Sequence, residues 1–194
     1  MLEKIRFGLA FPRWSGKAAL LSARIPRGLR GWLFDESSLT KRLRRRCPQS
    51  FRVRVMSQRR ERPLPDEAAC LGMRAGEHGL VRQVCLQCGL QPLVYARTVI
   101  PFPTLRGPVK RLAHLGSRPL GEVLFADKSM RRGPVQVARL LAAHAVYREA
   151  AAAGAGAPEE LWGRRSLFYL GGKPLLVSEI FLPALEERES GQGS

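Results

Sequence analysis

The sequence predicts an α+β fold: a single domain whose antiparallel β-sheet is built from hairpins, with helices packed on it. Two observations carry that prediction. Strand-like runs occur in pairs joined by short turns, and segments of helical spacing lie before and between the pairs. The 194 residues suffice for one sizeable core.

Taken in order, residues 1–27 read as a basic N-terminal arm, loosely held, with Gly, Pro and mixed charge but no clear period. From Gly28 the domain proper begins. Leu29, Trp32, Leu33 and Leu43 recur at roughly helical spacing, and Ser38 or Thr40 would cap a second helical turn running into Arg44-Arg45-Arg46. Phe51, Val53 and Val55 alternate with Arg52 and Arg54, the signature of a half-buried strand, and the Arg/Pro-rich stretch 58–66 reads as a loop. The strongest signal is the hairpin formed by 80–87 and 93–100 around the turn 88–92, ended by Pro101 and Pro103. Residues 109–125 predict a helix with a short segment built on Pro119-Leu120-Gly121. Residues 135–153 predict an Ala-rich amphipathic helix, closed by 154–158. A second hairpin pairs 166–170 with 175–182 around Gly171-Gly172-Lys173-Pro174. The domain is expected to span 28–185, with a polar, frayed tail over 186–194.

Composition excludes several classes. Hydrophobic residues make up 45% and charged residues 25%, ordinary globular values that argue against disorder. No apolar run reaches the roughly 18 residues of a membrane span, so no stable membrane insertion is expected. The charge is unusual: 33 Lys+Arg against 16 Asp+Glu give +17, of which residues 1–60 hold +13. Arginine dominates, and the aromatic interleaving of a single-strand nucleic-acid platform is missing, so no nucleic acid is expected as partner. No apolar signal-peptide core stands near the start, which makes the expected location cytoplasmic and the expected state of Cys47, Cys70, Cys85 and Cys88 reduced. Cys85 and Cys88 form C-x-x-C without a second pair, and the three histidines are scattered, so no metal site is expected.

Three charged residues break apolar stripes. Strand residues two apart share a face. Leu80, Val84 and Leu86 share theirs with Arg82, and Leu175, Val177 and Phe181 share theirs with Glu179; Arg97 lies with Leu93, Tyr95 and Val99. A charge that faces a core needs a partner or a ligand. Alternation leaves two readings open: Arg82 and Glu179 pair with each other, or they stand at two ends of a pocket. In the second case the planar guanidinium suits a carboxylate, and the Glu suits a hydroxyl or serves as a general base. Nucleophile, phosphate-loop and dinucleotide motifs are absent from the sequence.

Several segments resemble, in order, the motifs of the chorismate pyruvate-lyase family: GWLFDESSLTKR (31–42), LVRQVCL (80–86), ARTVIP (96–101), RPLGEVLF (118–125), LWGRRS (161–166) and GKPLLVSEIFLP (172–183). The resemblance implies a cofactor-free elimination that converts chorismate to 4-hydroxybenzoate and pyruvate, the first step of ubiquinone biosynthesis, carried out by a monomer. It implies that Arg82 binds the ring carboxylate and Glu179 meets the ring hydroxyl. It also implies that backbone groups at Leu39 and Leu120 lie near the carboxylate. Chorismate has a second carboxylate, for which Arg97, Arg165 and Lys173 are candidates. The sequence departs from the family pattern at Leu39, where Met is expected, in the longer 142–158 connection and in the longer, more basic arm. The alternative is a non-catalytic domain of the same architecture that senses an aromatic acid, as found beside bacterial helix-turn-helix modules.

Overall fold

Two short helices, laid against a sheet, precede the first strand. A computed structural model describes residues 11–17, 25–156 and 158–190. Helices α1 (Arg27–Leu33) and α2 (Leu39–Arg46) lead into strand β1 (Phe51–Glu61) and helix α3 (Pro65–Leu71). The hairpin β2 (Gly79–Cys88) and β3 (Gln91–Pro101) follows, then two 3₁₀ segments and helix α4 (Leu120–Ala126). Next come β4 (Arg131–Arg132), β5 (Gln136–Leu140) and α5 (Ala145–Ala150). The second hairpin, β6 (Leu161–Leu170) and β7 (Lys173–Phe181), precedes the closing helix α6 (Pro183–Ser190). The strands form one antiparallel sheet in the order β1-β2-β3-β7-β6-β4, with β5 also pairing β6. Gly171 and Gly172 both take positive φ in the tight turn between β6 and β7, which only glycine does at little cost.

Both faces of the sheet are covered, and the register dictates which residues go where. On the near face, Leu29, Trp32, Leu33, Leu39 and Leu43 of α1 and α2 pack on Leu86, Val94, Trp162 and Phe181. The same face continues through Leu112, Leu115 and Leu124 onto Phe168 and Leu175. On the far face, Val146, Tyr147 and Ala150 of α5 pack on Cys85, Tyr95, Leu161 and Ile180. The predicted stripes hold: Arg82 and Glu179 project from the near face with their apolar companions, and Arg97 from the far one.

The elements differ from the sequence expectations where pairing or local start signals override periodicity. Strand β1 runs on to Glu61 through a bulge between Val55 and Ser57, because β2 supplies a partner along the whole length. The remainder of the expected loop holds α3, begun by Pro65 at its first turn with Asp66 and Glu67 behind it. The 135–153 stretch is not one helix. Residues 136–140 pair with β6, which buries Val137, Ala138 and Leu140 completely, and only Ala145–Ala150 is α-helical. Within 109–125 a 3₁₀ segment (Gly107–His114) and α4 replace the single helix, and α6 stands where a frayed tail is expected from Glu186.

The described part of the arm is docked. Ser15 exchanges two backbone hydrogen bonds with Val137, at 2.9 and 2.8 Å. Trp14 Nε1 donates to Asp66 Oδ2 at 3.2 Å, beneath the Arg165 guanidinium. Residues 1–10, 18–24 and 191–194 of the expected arm and tail lie outside the described residues. Cys47 and Cys88 form a disulfide, not the reduced thiols expected, while Cys70 and Cys85 are free. The register explains this: Phe51 faces Cys88 across β1 and β2, so the end of α2 meets the end of β2 despite 41 residues of separation.

The far face also holds the most enclosed charge cluster. Arg97 grips Glu67 with two bonds of 2.9 and 3.2 Å and reaches Glu149 at 3.3 Å. Burial pushes the Glu67 carboxyl upward against the attraction of Arg97. Removing one partner of such a pair strands a buried charge. Arg97→Ala should therefore lower unfolding free energy by about 3–5 kcal/mol, read from urea denaturation. A midpoint like the parent's would show that the cluster contributes nothing.

Candidate active site

The near face encloses a cavity between the sheet and the N-termini of α2 and α4. It holds about 530 Å³, counting the space that opens to solvent. Ser38 caps α2 by accepting from Lys41 N at 3.4 Å, while Pro119 pre-sets the start of α4. The two starts meet closely: a Cβ on Gly121 would lie 3.1 Å from Thr40 Oγ1, so glycine is what lets α4 approach. That contact brings Leu39 and Leu120 to the rim of the same cavity. The sheet supplies Leu86, Ala96, Thr98 and Val177 as its floor, and Phe125 and Phe168 close one side. The walls are thus mostly apolar, with Glu179, Arg164 and Arg132 as their charged groups.

Glu179 stands opposite Ala96 on β3 and Arg164 on β6, and all three line the cavity. Its Oε2 accepts from Arg164 Nε at 2.6 Å. Arg164 is itself buried, and its terminal nitrogen donates to the carbonyls of Trp32 and Asp35 where α1 ends. The carboxylate is thereby held by a cation while one side of it faces the cavity.

Arg82 lies one register step away, beside Thr98. Its guanidinium donates to Gln58 Oε1 at 2.7 Å and to the carbonyls of Gly116 and Arg118 at 2.8 and 3.4 Å. Arg118 immediately precedes Pro119, which lines the cavity. The three buried arginines of the described residues are Arg82, Arg97 and Arg164, and Arg82 alone has no ion pair among them. Burial holds its pKa below the ordinary guanidinium value. A guanidinium has five donors, and these contacts use three.

The structure therefore brings Leu39, Leu120 and Glu179 to one cavity; Arg82 is not part of its lining but stands beside the lining residue Thr98, and Arg82 and Glu179 do not pair with each other. It does not bring Arg97, Arg165 or Lys173 there. Arg97 is spent on Glu67 and Glu149, and Arg165, on the far face, bonds Asp66 and Gln136. Lys173 stands at the start of β7, beside the tight turn. Two cavity arginines are new to the set, Arg164 and Arg132. The first carries a signal in the sequence: Trp162, Arg164 and Phe168 alternate as one stripe, broken by a charge as the other stripes are. Arg132, on a two-residue strand, carries none.

The family profile for chorismate lyase matches residues 16–190. A protein of Methylococcus capsulatus named "Probable chorismate pyruvate-lyase" is 48% identical over 157 residues, covering 81% of this chain and 96% of the relative. One of the same name from Azoarcus sp. is 50% identical over 163 residues, covering 82% of this chain and 86% of the relative. Among solved structures, a GntR-family transcriptional regulator from Bacillus cereus superposes with a TM-score of 0.51 at 12% identity, covering 70% of this chain and 94% of its own. PhnF from Mycobacterium smegmatis superposes at 0.52 and 14% identity, covering 77% and 65%. These two share the fold.

The Arg164–Glu179 contact is asymmetric. Arg164→Ala removes the cation from Glu179 and from two carbonyls, and should cost about 3–5 kcal/mol. Glu179→Gln keeps an acceptor for a guanidinium that retains its carbonyl partners, and should cost below about 2 kcal/mol. Urea denaturation of both variants checks the order, and equal losses would contradict it.

Proposed function

The chain belongs to the chorismate lyase family, and from that premise we propose that it is a chorismate pyruvate-lyase releasing 4-hydroxybenzoate and pyruvate. The observation that carries this reading is the buried Arg82, without a carboxylate of its own, bonded to the Arg118 carbonyl next to Pro119 of an apolar cavity that Glu179 lines. An unpaired cation in such a place is a burden on the free protein that an anionic ligand relieves. A planar ring with a carboxylate at one end and a hydroxyl at the other matches that arrangement.

In the proposed chemistry the ring carboxylate binds Arg82, and the backbone near Leu39 and Leu120 closes over that end. Glu179 accepts from the ring hydroxyl. The carbon bearing the hydroxyl loses its proton, the neighbouring ring carbon loses the ether oxygen, and the electron pair completes the aromatic ring. The departing enolpyruvate takes up a proton and tautomerises to pyruvate, so atoms and charge balance. Glu179 is the group nearest the proton that leaves, which makes it the candidate base. Arg164 beside it fixes the position of that carboxylate through a 2.6 Å contact. The step is redox-neutral and driven by aromatisation, so the reading calls for no cofactor, and the protein's work is positioning and charge management. The released 4-hydroxybenzoate would then enter ubiquinone biosynthesis.

Incubating the protein with chorismate tests this directly. Equimolar 4-hydroxybenzoate and pyruvate are expected. Tight binding of 4-hydroxybenzoate without turnover would make the domain a sensor instead. Arg82→Ala should weaken 4-hydroxybenzoate binding by about 2–5 kcal/mol in calorimetry, the scale of a lost buried charge contact. Glu179→Gln should lower turnover by roughly 10²–10⁴-fold. A folded Arg82→Ala protein with parental affinity, or a Glu179→Gln protein with parental turnover, would remove that residue from the site.

A further inference from the structure

We infer that Arg132 holds the second, enolpyruvyl carboxylate of chorismate, and is thereby the residue that lets the site tell substrate from product. The inference rests on the reading above. In chorismate the ether-bearing carbon adjoins the carbon that bears the hydroxyl, and the ring carboxylate lies across the ring from that hydroxyl. With the hydroxyl at Glu179, the second carboxylate must fall in the same half of the cavity, away from Arg82.

Two guanidinium groups face that half. Arg164 is committed to Glu179 and to the carbonyls of Trp32 and Asp35. Arg132 is not. Its Nε donates to Ser166 Oγ at 3.1 Å and one terminal nitrogen to the carbonyl of Glu36 at 2.6 Å. Among the described residues its other terminal nitrogen has no partner, and it makes no ion pair. The contact with Ser166 fixes its place, because Ser166 lies two residues from Arg164 on the same face of β6. The guanidinium sits over the Phe168 ring, 5.2 Å from its centroid, and both residues line the cavity. Burial and the nearby Arg164 cation lower its pKa against the opposing pull of Glu179, Glu36 and Asp35.

Arg132 also borders a second, open groove, lined by Lys128, Arg131, Tyr169 and Gly172 among others. It therefore stands where the enclosed cavity meets a basic surface. A dianion arriving from that groove meets Arg132 before it meets Glu179. 4-Hydroxybenzoate has lost the group that Arg132 would hold, so the contact favours substrate and leaves product affinity to Arg82.

The test compares the parent with Arg132→Met and Arg132→Lys, measuring kcat/KM for chorismate and Kd for 4-hydroxybenzoate, with thermal unfolding as a control. In Arg132→Met, kcat/KM should fall by about 10–100-fold, the effect of one charge-assisted contact, while Kd stays within about threefold. Arg132→Lys should recover part of the loss; should the Met variant not fold, Lys decides alone through the same split. An unchanged kcat/KM overturns the inference, as does a Kd weakened as much as kcat/KM, which would assign Arg132 to the ring and not to the side chain. A parent that neither turns over chorismate nor binds 4-hydroxybenzoate overturns the underlying reading itself, and the two failures are thus distinct.

Discussion

The site depends on the ion pair between Arg164 and Glu179. Both project into a mostly apolar face of the sheet, and each lowers the cost of burying the other. Their contact joins β6 to β7, and the further bonds of Arg164 to Trp32 and Asp35 tie the end of α1 to the sheet. One guanidinium thus fixes the orientation of the cavity carboxylate and anchors the end of α1 to the sheet. The cavity can remain apolar elsewhere because this charge is already compensated.

The two faces of the sheet treat charge differently. On the far face the deep cations of the described residues have acids: Arg97 has Glu67 and Glu149, and Arg165 has Asp66. On the near face Arg82 and Arg132 have only neutral acceptors from the described residues. Desolvation costs the same on both sides of a sheet, so the difference lies in what completes the site. A fully paired cluster stabilises the fold by itself. Cations bonded only to carbonyls, an amide and a hydroxyl keep attraction in reserve for an anion.

Much of this was legible in the sequence, since alternation is a local property. The stripes around Arg82 and Glu179 identify both residues as inward-facing, and the structure places them on one face. Alternation does not tell which face holds a cavity. Arg97 interrupts a stripe as clearly as Arg82, yet its acids come from α3 and α5, elements distant in sequence. Arg164 and Arg165 are adjacent and chemically identical, and a one-residue difference in register separates a cavity wall from the far face. The strand Gln136–Leu140 was hidden because Ala-rich text reads as helix, while the edge of β6 imposes pairing. Likewise the Cys47–Cys88 bond follows from the β1–β2 register, which no spacing rule reports.

The central claim is that the cavity has a polarity, with a cation for a carboxylate at Arg82 and an acceptor for a hydroxyl at Glu179. A crystal structure of the protein with 4-hydroxybenzoate tests it most directly. The ring should lie between α2, α4 and the sheet, its carboxylate within hydrogen-bond distance of the Arg82 guanidinium and its hydroxyl within reach of Glu179. A ligand bound in the opposite sense, or seated outside this cavity at full occupancy, would contradict it.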